Sequence, residues 1–270
     1  MDLRVLRGTL KKNLLIQCRA YPMSFMVGSL LTGIYTSVGA WFLYHLMFGG
    51  KLSADFVKVA GTADYMSYVI VGCLVYLFVT RTCLNVSRSL ITELREGTYE
   101  SLMIAPFHRA EYFLGNMLVQ TVTTSLEILV SILAAIPFGL HFTGVNPVAF
   151  FFTMLLSLYA FFAVSMVLGC VMLYTRDTYI SQNTLFVFLF LVCGITFPAE
   201  YLPLWLQRIT DWIPVKGAVA LIRGSTLLGS GIKDQIQTAV WVLSISTVYL
   251  AAGFFLMKRT EKQALEKMEG

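Results

Sequence analysis

The chain has 270 residues, of which 57% are hydrophobic and only 13% charged, with a formal net charge of +5 and a mean hydropathy of +0.73. Soluble domains run at roughly 45–50% apolar and about 25% charged. The composition therefore excludes a water-soluble globule and implies an all-α polytopic membrane protein, and the modest positive charge gives no reason to expect nucleic acid as a partner.

In residues 1–22, Leu3, Leu6, Leu10, Leu14 and Cys18 recur every three or four positions, with Arg4, Arg7, Lys11, Lys12 and Arg19 between them. This is the pattern of a basic amphipathic helix lying in the headgroup region, where each cation contributes about 1 kcal/mol towards anionic lipid. The stretch lacks the apolar core of a cleavable signal peptide. Pro22 turns the chain into a first span over 23–48, which carries Gly28, Gly33 and Gly39 as close-packing positions. A charged loop with Lys51, Asp55, Lys58 and Asp64 follows.

A second span covers 65–91, and its helical patterning runs on through Arg81, Asn85 and Arg88, so the helix is expected to project past the bilayer. The next segment, 92–110, is the most highly charged in the chain, with Glu93, Glu96, Glu100, Arg95 and Arg109. Gly97 interrupts the helix there. Thr98 is placed to N-cap a new short helix, with Glu100 in its first turn complementing the dipole. Leu102 and Met103 give that helix an apolar side, and Pro106 stops it. Two helical turns held at a membrane surface between two spans form a handle for a partner.

The third span covers 111–140, with Pro137 expected to kink or end it, the fourth 148–174, the fifth 178–197 and the sixth 236–257. A polar tail, 258–270, completes the chain. Region 198–235 is too apolar for a solvated loop, yet its prolines and charges forbid a straight span. Leu202, Leu206 and Ile209 repeat at helical spacing, and Trp205 and Trp212 suit an interfacial belt. A pair of short helices dipping into the outer leaflet fits, which requires backbone buried in protein or lining a cavity. Six spans put both termini on one side. Arg88, Arg95, Arg109, Arg176, Lys258 and Arg259 fall on that side with the basic N-terminal stretch, so the positive-inside rule makes it cytoplasmic.

Chemistry-bearing motifs are absent. No G-x-x-x-x-G-K-[ST] phosphate loop and no G-x-S-x-G elbow occurs. His45, His108 and His141 are scattered, and the five cysteines show no metal spacing, so no metal site is expected. The chain reads as no enzyme in its own right. Within the spans the ionisable residues are Arg81 and Glu127, each a functional candidate because of its cost in lipid. Counted from Arg88, Arg81 lies about 10 Å up its helix, near enough to snorkel to the inner interface. Counted from His108, Glu127 lies about 28 Å up. An Arg81–Glu127 pair is one reading, but the counts place the two at different depths and favour Glu127 facing a polar cavity or hydrogen-bonded within the bundle.

Arg95-Glu96-Gly97-Thr98-Tyr99-Glu100-Ser101-Leu102 followed by Pro106 resembles the R-E-G-T-x-E-x-L…P coupling segment of ABC-2-type transporter permeases, with Tyr99 where Leu is commoner. The stretch from Phe197 and Pro198 through Leu202, Pro203, Trp205 and Leu206 to Pro214 is similar to the F-P-x-x-x-L-P-x-W-L…P re-entrant hairpin before the last span of the same family. The resemblance implies a six-span permease whose coupling segment docks on a separate ATPase subunit. Two ATPase copies would bind the ATP and Mg, with no cofactor in this chain, and a second permease copy, identical or related, would complete the assembly in a prokaryotic inner or plasma membrane. It also implies a route along spans two and five at the dimer interface. Tyr76, Phe78, Arg81, Asn85, Glu127, Phe186 and Phe190 are the candidates for that route. At the outer mouth, Phe197, Leu202, Trp205 and Leu206 would pack across the dimer axis as an apolar gate, with Pro198 and Pro203 fixing the turns.

An apolar route with few buried charges favours export of an amphipathic or lipid-linked cargo, such as a hydrophobic drug, antibiotic or glycolipid. Polysaccharide or teichoic-acid export is the alternative within the family. From other classes, an ion-coupled secondary transporter should show midplane carboxylates in two repeats, where this chain offers Glu127 alone; a non-transporting membrane scaffold also remains open.

Overall fold

The structure is a computed structural model that describes residues 22–47, 54–98, 109–142, 144–175 and 186–266, with Gly8, Lys11, Leu15, Gly49 and Thr184 besides. Gly8, Lys11 and Leu15 are helical; the rest of the expected interface helix lies outside the described residues.

Among the described residues the regular elements are all helical: α1 (Pro22–Phe42), α2 (Ala54–Ala60), α3 (Tyr65–Arg95), α4 (Arg109–Ala135), α5 (Pro147–Thr175), α6 (Phe186–Val192), α7 (Leu204–Asp211), α8 (Pro214–Thr226) and α9 (Ile236–Glu266). Four stretches are long and apolar enough to cross a bilayer: Tyr65–Arg95, Glu111–Phe138, Pro147–Thr175 and Ile236–Thr260. The 21 residues of α1 extend about 31 Å, close to the roughly 30 Å hydrocarbon thickness, before a π-helical turn at Leu43–Met47.

α3 is the axis of the bundle. Asp64 caps it, accepting hydrogen bonds from Ser67 N (3.1 Å) and Ser67 Oγ (2.5 Å). Its 31 residues reach about 46 Å, so one end must stand clear of a bilayer. α4, α5, α8 and α1 all pack against it, and α9 packs chiefly on α5. Small residues permit a close approach between α3 and α5. Ser87 Oγ donates to Ser165 O (3.1 Å), Cys83 Sγ to Phe161 O (3.4 Å), and a Cβ on Gly169 would touch the Ser87 backbone. Phe78, Phe113, Phe161, Met166 and Leu221 fill the centre.

Several boundaries differ from the sequence reading, each for a local reason. α4 ends at Ala135. Pro137 lies in the following 3₁₀ turn, and Gly139 closes that turn at φ 93°. α9 continues through Glu266 because Lys258–Glu266 contains no breaker and is rich in good helix formers. The expected loop at 51–64 holds the short α2. Within the expected fifth span, α6 ends at Val192, and Gly194 turns the chain at φ 73°.

Candidate functional site

A cleft of about 260 Å³ opens between α1, α3 and α6. Val69, Cys73, Tyr76, Leu77 and Thr80 line it from α3, facing Thr32, Tyr35 and Thr36 on α1 and Phe190 on α6. The α3 positions repeat at helical spacing and so share one face. Tyr76 donates its hydroxyl to Phe186 O (3.0 Å) and meets the Phe190 ring edge-on at 5.0 Å. Thr32, Thr36 and Thr80 donate to carbonyls of their own helices, at 2.8, 2.8 and 3.0 Å. Their hydrogen atoms are thereby used up locally, and the wall stays predominantly apolar. Tyr76, Phe186 and Phe190 thus come together at one place. Phe78 does not join them; it is fully buried on another face of α3, edge-on to Phe161 at 5.9 Å.

A polar ladder runs between α3 and α4. Arg81 Nη2 donates to Glu127 Oε1 (3.1 Å), Asn85 Nδ2 to Gln120 Oε1 (2.8 Å) and Tyr112 OH to Glu93 Oε1 (2.9 Å). Arg81, Asn85 and Glu93 are spaced by multiples of four, and their partners descend α4 in antiparallel order, so three rungs share one interface. The Arg81–Glu127 rung corrects the sequence reading, which put the two at different depths. α3 does not end near Arg88 but runs to Arg95. Arg81 is therefore about 21 Å from that end, and Glu127 about 27 Å from the matching end of α4 at Arg109. An arginine side chain spans the remaining 6 Å or so. Glu127 is 4% exposed and Arg81 48%, so the pair presents its cation.

The charged end of α3 is built as a Schellman motif. Gly97 takes φ 72°, Gly97 N donates to Leu94 O (3.4 Å), and Thr98 N donates to Glu93 O (3.0 Å). Thr98 Oγ1 reaches back to Glu93 Oε2 (2.5 Å). One carboxylate, only 7% exposed, thereby holds both the start of the charged segment and the first turn of α4. The sequence marked Glu93 merely as one of several acids. Arg95, Glu96, Gly97 and Thr98 are exposed to solvent. Tyr99, Glu100, Leu102 and Pro106 lie outside the described residues, as does the short helix that Thr98 was expected to cap.

At the opposite end, a 3₁₀ turn at Ala199–Tyr201 leads into the pair α7 and α8, matching the expected two short helices. Pro198 is buried, Phe197, Leu202 and Leu206 are half-buried, and Pro203 and Trp205 are exposed. The sequence analysis gives Arg223 no role. In the structure it is buried in α8 and donates to Gly194 O, Ile195 O and Tyr68 O. Its signal was a lone cation directly after the apolar run Ala218–Ile222. A larger open hollow of about 700 Å³ lies between α8 and α9, but none of the route candidates borders it.

A family model described as ABC-2 type transporter matches residues 23–227. The chain is also 22% identical over 201 residues to the probable multidrug ABC transporter permease YbhR of Escherichia coli strain K12, and equally to that of E. coli O157:H7. The likeness covers 73% of this chain and 53% of each relative. The chain therefore spans about half the length of the curated relatives it matches.

Proposed function

This chain belongs to the ABC-2 type transporter family, and from that premise we propose that it is the membrane permease subunit of an ATP-driven exporter for an amphipathic or lipid-linked cargo. Two ATPase subunits bind and hydrolyse ATP, and a second permease copy, identical or related, completes the complex in a prokaryotic inner or plasma membrane. The chain crosses the bilayer six times, with α1 and the stretch containing α6 joining the four long spans, and both termini are cytoplasmic. Residues 95–106 dock on the ATPase.

The observation that carries this reading is the continuity of α3. One unbroken helix lines the α1/α3/α6 cleft along Tyr76 and Thr80 and ends in the braced turn at Gly97. A push on the charged segment is thus delivered to the wall of a mostly apolar cleft, which is what alternating access requires of a coupling element. The Tyr76, Phe186 and Phe190 cluster supports an amphiphile as cargo, in keeping with the multidrug label that the E. coli relatives carry. The apolar outer hairpin, with Phe197, Leu202, Trp205 and Leu206, closes the outer mouth.

Reconstitution of the permease with its ATPase tests the reading. Glu96→Lys and Gly97→Pro should leave the protein inserted while abolishing ATP-dependent transport and weakening co-purification of the ATPase. Normal association together with normal transport in both variants would refute it.

A further inference from the structure

We propose that Arg81 receives the anionic head of an amphiphile whose apolar body occupies the α1/α3/α6 cleft. The inference deepens the proposed function and rests on its reading of that cleft as the cargo route.

Thr80 lines the inner end of the cleft, and Leu77, also lining it, lies one helical turn before Arg81 on the same side of α3. The guanidinium therefore stands where the mostly apolar wall stops. Among the described residues, no charged side chain lines the cleft itself. Arg81 makes a single hydrogen bond among the described residues, to Glu127, although a guanidinium carries five N–H donors in a fork that matches phosphate, carboxylate or sulfonate. Glu127 is sealed behind it at 4% exposure, against 48% for Arg81, so an arriving molecule meets the cation. A half-exposed arginine at this depth cannot economically face lipid tails; it needs water or an anion.

Glu127 balances the charge of the half-exposed guanidinium and fixes its orientation, and the donors left over are offered outward. A cationic head would be repelled, and a neutral one would leave those donors unmatched. Two sources supply the required chemistry, an anionic phospholipid from the bilayer or a free anionic amphiphile.

The full chain in phosphatidylcholine nanodiscs is titrated with 1-anilinonaphthalene-8-sulfonate and with neutral N-phenyl-1-naphthylamine, with empty nanodiscs subtracted. The double variant Arg81→Gln/Glu127→Gln avoids stranding a buried carboxylate. It should weaken the sulfonate probe about tenfold and leave the neutral probe within about twofold, the size expected for one charge-assisted contact. Thr80→Trp, or Thr36→Trp on the facing helix, should exclude both probes. Competition by phosphatidylglycerol in the nanodisc assigns the head to lipid, and its failure to compete assigns it to a free amphiphile. If the double variant binds the sulfonate like the wild type, or loses both probes alike, the inference is wrong while the reading of the cleft as cargo route stands. If neither tryptophan disturbs either probe, the cleft reading falls with it.

Discussion

Arg223 sits in α8, yet its guanidinium reaches across to α3, donating to Tyr68 O (3.1 Å) and lying 3.7 Å over the Tyr68 ring. The same group holds the carbonyls of Gly194 and Ile195, where the chain turns out of α6. Carbonyl dipoles and an aromatic face thus compensate a buried cation. Gly72 makes room for it, since a Cβ there would overlap both Nη2 of Arg223 and the Ile195 oxygen. Gly72→Ala should therefore destabilise the protein by about 1–3 kcal/mol, read as a lowered thermal midpoint in detergent. Gly28→Ala is the control. No atom lies within 4 Å of its Cβ position, so that change should be neutral or stabilising by up to about 1 kcal/mol.

At the scale of elements, α3 and α4 are joined at their charged ends by Glu93, which Thr98 and Tyr112 hold from opposite sides. Tyr112→Phe and Thr98→Val should each cost about 1 kcal/mol. Because they act through one carboxylate, the double variant should cost less or more than their sum. Both should also lower the cargo moved per ATP hydrolysed, which a loss of stability alone would not do.

The elements themselves were largely legible, because long apolar runs punctuated by Pro137, Gly97 and Pro214 leave few choices for a helix in lipid. What the sequence could not supply was register. A count from Arg88 puts Arg81 and Glu127 at different depths, whereas α3 ends two turns further on at Arg95. Pairing across antiparallel helices depends on both ends, and a single chain pattern shows neither. Tyr76, Phe186 and Phe190 stand out in the sequence as aromatics of spans two and five, and the structure brings them together; Glu93 and Arg223 carry no such signal, because their hydrogen bonds run to distant carbonyls and hydroxyls.

At the scale of the whole molecule, two ends can be told apart by what meets there. His141 N donates to Ser67 Oγ (2.8 Å), Asn146 N donates to Ser225 O (3.0 Å), and Gly144 packs on Gly229. The starts of α3 and α5 and the ends of α4 and α8 therefore share one cap. The opposite end carries Arg95, Lys258 and Arg259, and in the proposed topology it is the cytoplasmic face. Cys83, Cys170 and Cys193 are buried, so replacing the native cysteines with alanine or serine gives a background for single labels. In intact cells an impermeant maleimide should label Ser230→Cys and Lys58→Cys at once. Gln263→Cys, which is exposed on α9, should react only after the membrane is opened. Prompt labelling of Gln263→Cys from outside would invert the orientation. It would then leave the charged end of α3 facing away from any source of ATP, and the exporter reading would fail with it.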